Sequence, residues 1–65
     1  SKKYIIDNKK FLVFEIDTID AKEISKFTHD LYVNFIQYSG YNLDNVPDIE
    51  EYIDDKKTRI YIAVT

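Results

Sequence analysis

Cysteine, methionine and tryptophan are absent from this 65-residue chain, and glycine, proline and histidine occur once each, as Gly40, Pro47 and His29. Without cysteine no disulfide can staple a small fold, and no thiolate can hold zinc. A lone histidine does not complete a metal set, so no metal site and no cofactor are expected. A domain of this size buries only about 60% of the surface its unfolded chain exposes. With staples and metals gone, the remaining way to enlarge the core is a second copy or a neighbouring module. No apolar run approaches the ~20 residues of a membrane span. No secretory leader pattern opens the chain, and a cysteine-free sequence fits the cytoplasm. The start at Ser1 leads to the expectation that the chain is a piece of a longer protein.

What is present is globular in composition: 45% hydrophobic and 15% aromatic residues, with a net charge of −3. A basic face for phosphates is missing, which argues against direct nucleic-acid contact. The lysine doublets Lys2-Lys3, Lys9-Lys10 and Lys56-Lys57 are expected in turns. No internal repeat and no low-complexity segment interrupts the chain, so residues 1–65 form one unit.

Phe11 to Ile16, FLVFEI, is short, apolar and rich in strand formers, and polar residues bound it on both sides. It predicts a strand covered on both sides, or covered by a helix on one side and a partner on the other. Tyr4 to Ile6 is a short strand or a lead-in. Asp20 with Glu23 three residues on has the form of a capping box, starting a helix over about 21–38. Ile24, Phe27, Leu31, Phe35 and Tyr38 recur at helical spacing and define its core stripe. Val33 and Ile36 lie off the stripe, either widening the core seam or offering a contact to a second module. Gly40 sits where a left-handed residue ends a helix, and Pro47 prevents its resumption. Residues 49–53 and 59–64 read as two more strands, with Asp54 to Thr58 as the turn between them. In the first, Ile49, Glu51 and Ile53 alternate with Glu50 and Tyr52, and the apolar set is assigned to the core. In the second, Ile60, Ile62 and Val64 face the core, and Arg59, Tyr61 and Ala63 face away. The expected class is α+β: a strand-helix-strand-strand unit with one long helix on one face of an antiparallel sheet.

The ordered set Ser39-Gly40-Tyr41, then Pro47-x-Ile49-Glu50-x-Tyr52, then Arg59-Ile60-Tyr61-Ile62, resembles the C-terminal half of GyrI-like effector-binding domains. The first strand, from Ile6 to Phe14, resembles the same family. It departs from the usual pattern at several points: Ile49 stands for a phenylalanine, Ala63 for a proline, and Lys9 or Lys10 for a glycine. The position before Ser-Gly-Tyr, usually proline, is Tyr38, or Gln37 if the spacing slips. The resemblance implies one of two strand-helix-strand-strand modules whose ligand cleft lies between them. It implies a small-molecule sensor of a transcription regulator, often for lipophilic cations, with other members binding a protein such as DNA gyrase and some hydrolytic. Carried over residue by residue, it assigns ligand contact to Glu50, Tyr52 and Tyr61, with Phe35 and Ile36 in place of a helix Trp-Leu pair.

An acid ringed by aromatic faces suits a cation, each ring adding about 0.5–2 kcal/mol. The plain alternative is that Glu50 and Tyr52 are solvent-facing residues on the open side of a two-layer fold. His29, near Lys26 and Asp30, is expected at the surface. No nucleophile–base–acid pattern is visible, so no catalytic residue is assigned and an enzyme is not expected. The acidic stretch Asp44, Asp48, Glu50, Glu51, Asp54 and Asp55 lacks the glycine-bearing spacing of an EF-hand. It is a solvated edge, or a surface for a basic protein, which is the alternative function: a small acidic inhibitor module. The expected partners are therefore a small-molecule ligand and a second module or homodimer partner.

Overall fold

In the computed structural model the described residues are 2–6, as backbone, and 9–65. Two strands, β1 (Lys2–Ile6) and β2 (Lys9–Ile16), precede a helix, α1 (Ala21–Asn34), with a 3-10 turn at Ile36–Tyr38. Two further strands, β3 (Ile49–Tyr52) and β4 (Thr58–Val64), complete one antiparallel sheet in the order β1-β2-β4-β3. The fold is α+β, with one helix packed on one face, as the sequence predicts. The lead-in at Tyr4 to Ile6 is part of a full strand, with Tyr4 paired to Phe11 and Ile6 to Lys9. Lys2, Lys3, Lys9 and Lys10 consequently belong to strands, and of the three doublets only Lys56-Lys57 occupies a turn.

Both faces of β2 are buried, and the two sets of residues belong to different clusters. Leu12 and Phe14 join Ile24, Leu31, Ile36, Ile60, Ile62 and Val64 beneath the helix. On the opposite face Phe11 and Val13 cluster with Ala63, and Val46 and Tyr61 pack against them. The expectation of cover on both sides is met, with part of the second cover coming from the loop before β3. Backbone bonds hold that loop to the end of β4, from Asp44 N–H to the Ala63 carbonyl (3.0 Å) and from Thr65 N–H to the Asn42 carbonyl (2.9 Å).

The start of α1 follows the capping-box expectation. Asp20 is the N-cap, its carboxylate accepting from Glu23 N–H at 3.0 Å, while the Thr18 hydroxyl donates to the Glu23 carboxylate at 2.6 Å. The first bond satisfies a helix-end amide that has no intrahelical partner, and the Asp20 N–H donates in turn to the Thr18 hydroxyl at 3.0 Å.

The other end differs from the expected run to Tyr38. Phe35 leaves the helical conformation at φ −122°, ψ −61°, and the next residues wind as a 3-10 turn. That turn advances about 120° per residue where an α-helix advances about 100°. The change of phase brings Ile36 into the core at 4% exposure and leaves Tyr38 at 77%. Phe35 is also exposed, although its ring meets Phe14 edge-on at 5.6 Å between centroids. Gly40 then adopts φ +85°, in open space, so its role is the backbone conformation alone.

Thr58 is fully buried, and its hydroxyl donates to the Thr18 carbonyl at 2.7 Å. This bond ties the approach to the helix to the first residue of β4. Burying a hydroxyl is costly unless such a partner exists.

Candidate functional site

The hairpin of β3 and β4 decides which of the candidate residues can act together. Ile49 pairs with Tyr61, Glu50 with Ile60, Glu51 with Arg59, and Tyr52 with Thr58. Directly paired residues of an antiparallel ladder project to the same face. Glu50 and Tyr52 therefore share the face of Ile60 and Thr58, which is the helix side. Ile49 and Glu51 share the face of Tyr61 and Arg59, the side away from the helix. The expected assignment of Ile49 and Glu51 to the core side is thus reversed. A single wall of Glu50, Tyr52 and Tyr61 does not form, because their strand parities put them on opposite faces.

Glu51, rather than Glu50, is the carboxylate engaged with Tyr61. Its Oε1 accepts from the Tyr61 hydroxyl at 2.8 Å and from Arg59 Nη1 at 3.4 Å. Arg59 Nη2 reaches Glu15 Oε2 at 3.0 Å, so one guanidinium bridges carboxylates on β2 and β3. Hydrogen bonding to the Tyr61 oxygen first, and to Glu15 next, raises the guanidinium pKa further above its ordinary range. The Tyr61 ring stands edge-on to Phe11 at 6.2 Å, joining the network to the second apolar cluster.

Glu50 has no hydrogen-bond or ion-pair partner among the described residues. It borders a shallow depression with Ile49, Glu51 and Tyr61, so Glu50 and Tyr61 do meet around one feature. The other three candidates lie elsewhere. Tyr52 is exposed on the helix side, Phe35 leans on Phe14, and Ile36 is sealed in the core. Ile36 is unavailable to a ligand without unpacking the helix.

Two further groups frame this region. Tyr32 donates from α1 to the Asp48 carboxylate, just before β3. Burial, then that hydrogen bond, then the charge of Asp48 push the Tyr32 phenol upward. Asp44 is held below the ordinary carboxylate range by its hydrogen bond to Lys9 (3.2 Å), and then by Asn45 N–H. His29 is exposed. No group of three or more His, Asp or Glu side chains among the described residues is placed to hold a metal ion. No described helix is long and apolar enough to cross a membrane.

The sequence reading missed Glu51, Arg59 and Glu15 as a unit. The available signal was turn length. Closing the hairpin at Tyr52 and Thr58 leaves residues 53–57 as its loop and sets every register partner behind it.

No model of a known protein family, no curated protein and no solved structure matches the chain.

Proposed function

We propose that the chain is a small-molecule-binding module, resembling one half of a GyrI-like effector-binding domain, that takes a lipophilic cation at the β3–β4 surface. The observation that carries the reading is the depression lined by Ile49, Glu50, Glu51 and Tyr61, whose two acidic residues differ in status. Glu51 is occupied by Arg59 and Tyr61, whereas Glu50 is free to meet an incoming charge. An apolar ring system would rest on Ile49 and the Tyr61 face while its cationic group reaches past the edge of β3 to Glu50, which projects to the helix side. The strand-helix-strand-strand order from β2 to β4, with the helix on one face, supports the resemblance at the level of topology.

A shallow surface covers one side of a ligand and no more. The reading therefore includes a second module, or a second copy of the chain, as the opposite wall. Ile49, at 47% exposure and on the same face as Tyr61, is apolar surface that such a wall would cover.

The test is a fluorescence titration of a lipophilic cation dye against wild type, Glu50→Gln and Glu51→Gln. Glu50→Gln is expected to weaken binding most, because it removes the unpaired charge. Equal, weak binding by wild type and Glu50→Gln would remove the cation site. Light scattering at rising concentration tests the second wall: a dimer is expected, and a monomer throughout would leave the chain without one.

A further inference from the structure

The outer edge of β3 presents a different feature. β3 pairs with β4 along one side only, so half of its amides and carbonyls point outward along an open edge. All four of its residues are exposed. The two faces beside this edge have different chemistry. On the helix side, continuing the alternation of the strand, lie Asp48 and Glu50, neither with a cationic partner among the described residues. On the other side lie Ile49 and Ile53, while the acid there, Glu51, is already met by Arg59.

We infer that β3 accepts an extended segment of another polypeptide as a fifth strand, one that alternates basic residues with apolar ones. Strand addition supplies main-chain hydrogen bonds, and alternate side chains supply selectivity. The basic residues of the incoming strand would meet Asp48 and Glu50; its apolar residues would lie beside Ile49 and Ile53. A second β3 is a poor occupant, because pairing two such edges sets Glu50 and Glu51 of one copy against those of the other. The partner must therefore bring cations of its own. The edge shares Ile49 and Glu50 with the dye-binding depression, but strand addition rests on main-chain groups that a dye does not use, so failure of the dye titration leaves the inference standing.

The test is fluorescence polarisation with the chain and three labelled nonapeptides at low salt. One alternates lysine and valine. The second has the same residues in two blocks. The third alternates them but carries prolines that remove main-chain donors. The alternating peptide is expected to bind at least about tenfold more tightly than the other two, and to weaken with added salt. Glu50→Lys, an exposed position, is expected to weaken it several-fold with an unchanged circular dichroism spectrum. Equal binding of all three peptides would reduce the effect to non-specific charge attraction and overturn strand addition. No binding, or no response to Glu50→Lys, would also overturn it. Sedimentation of the chain alone is the last arm: oligomers abolished by Glu50→Lys would put a second copy's lysine-bearing β1 on the edge and overturn the assignment to another polypeptide.

Discussion

Tyr61 and Glu51 are diagonal neighbours across the hairpin, joined by a 2.8 Å hydrogen bond although their direct partners are Ile49 and Arg59. A tyrosine is long enough to span such a diagonal, which a short side chain is not. The bond places one carboxylate under both a phenol and a guanidinium, and it leaves Glu50, the adjacent residue, to solvent. Neighbours in sequence thereby acquire different roles.

Coupling within that network is measurable. Tyr61→Phe is expected to destabilise the fold by about 0.5–1 kcal/mol, at the low end for a hydrogen bond because the site is half exposed. Combined with Glu51→Ala, which removes the acceptor, the effect should be less than the sum, since both substitutions remove the same bond. Urea unfolding of the two single variants and the double variant gives the cycle. Strict additivity would mean that the bond contributes nothing in solution.

The break at Phe35 makes a second prediction. Ile36→Ala is expected to cost about 2–4 kcal/mol, as for a buried aliphatic side chain cut to a methyl. Tyr38→Ala should stay within about 0.5 kcal/mol. A continuous helix to Tyr38 would invert that order, so thermal unfolding of the two variants distinguishes the geometries.

At Thr58 the hydroxyl can be separated from the shape. Thr58→Val preserves the volume and removes the donor to the Thr18 carbonyl, with an expected loss of about 1–2 kcal/mol. Thr58→Ser keeps the donor but loses a buried methyl, costing about 1 kcal/mol. Amide exchange near Thr18 should accelerate in the valine variant and not in the serine variant.

Stability should respond to pH at both extremes. The Tyr32 phenol is raised in the fold, so the folded state holds its proton more tightly than the unfolded chain does. Its contribution is complete below about pH 10 and declines as pH rises beyond that value. Tyr32→Phe should remove this slope in denaturant midpoints taken from pH 9 to 11. Asp44 behaves oppositely: its pKa is lowered by Lys9, so its contribution is complete above about pH 4 and fades as pH falls. Asp44→Asn should flatten the acid limb.

The readable parts of the fold are those with a strong local signal. FLVFEI reads as a buried strand, Asp20 with Glu23 starts a helix, and Gly40 supplies a left-handed residue after it. The helix end was hidden because Phe35 and Tyr38 continue an apolar period that the backbone does not follow. The face of β3 was hidden for another reason: Ile49 and Glu51 alternate with Glu50 and Tyr52, so each side of the strand has one acid and one apolar residue. Neither parity buries more, and the hairpin register decides. The candidate site divided along this line, with Glu50 and Tyr61 placed around one depression and Tyr52, Phe35 and Ile36 elsewhere.

The position of β4 has a kinetic meaning. It follows β3 in the chain yet lies between β2 and β3 in the sheet. Until β4 arrives, β2 and β3 have no common neighbour, and the pairing of Phe11 with Ala63 must close a long loop before any of it is rewarded. Such non-local contacts slow folding. The hairpin of β3 and β4 can form locally, so the rate-limiting event is expected to be its docking, as a unit, onto β2 and the helix.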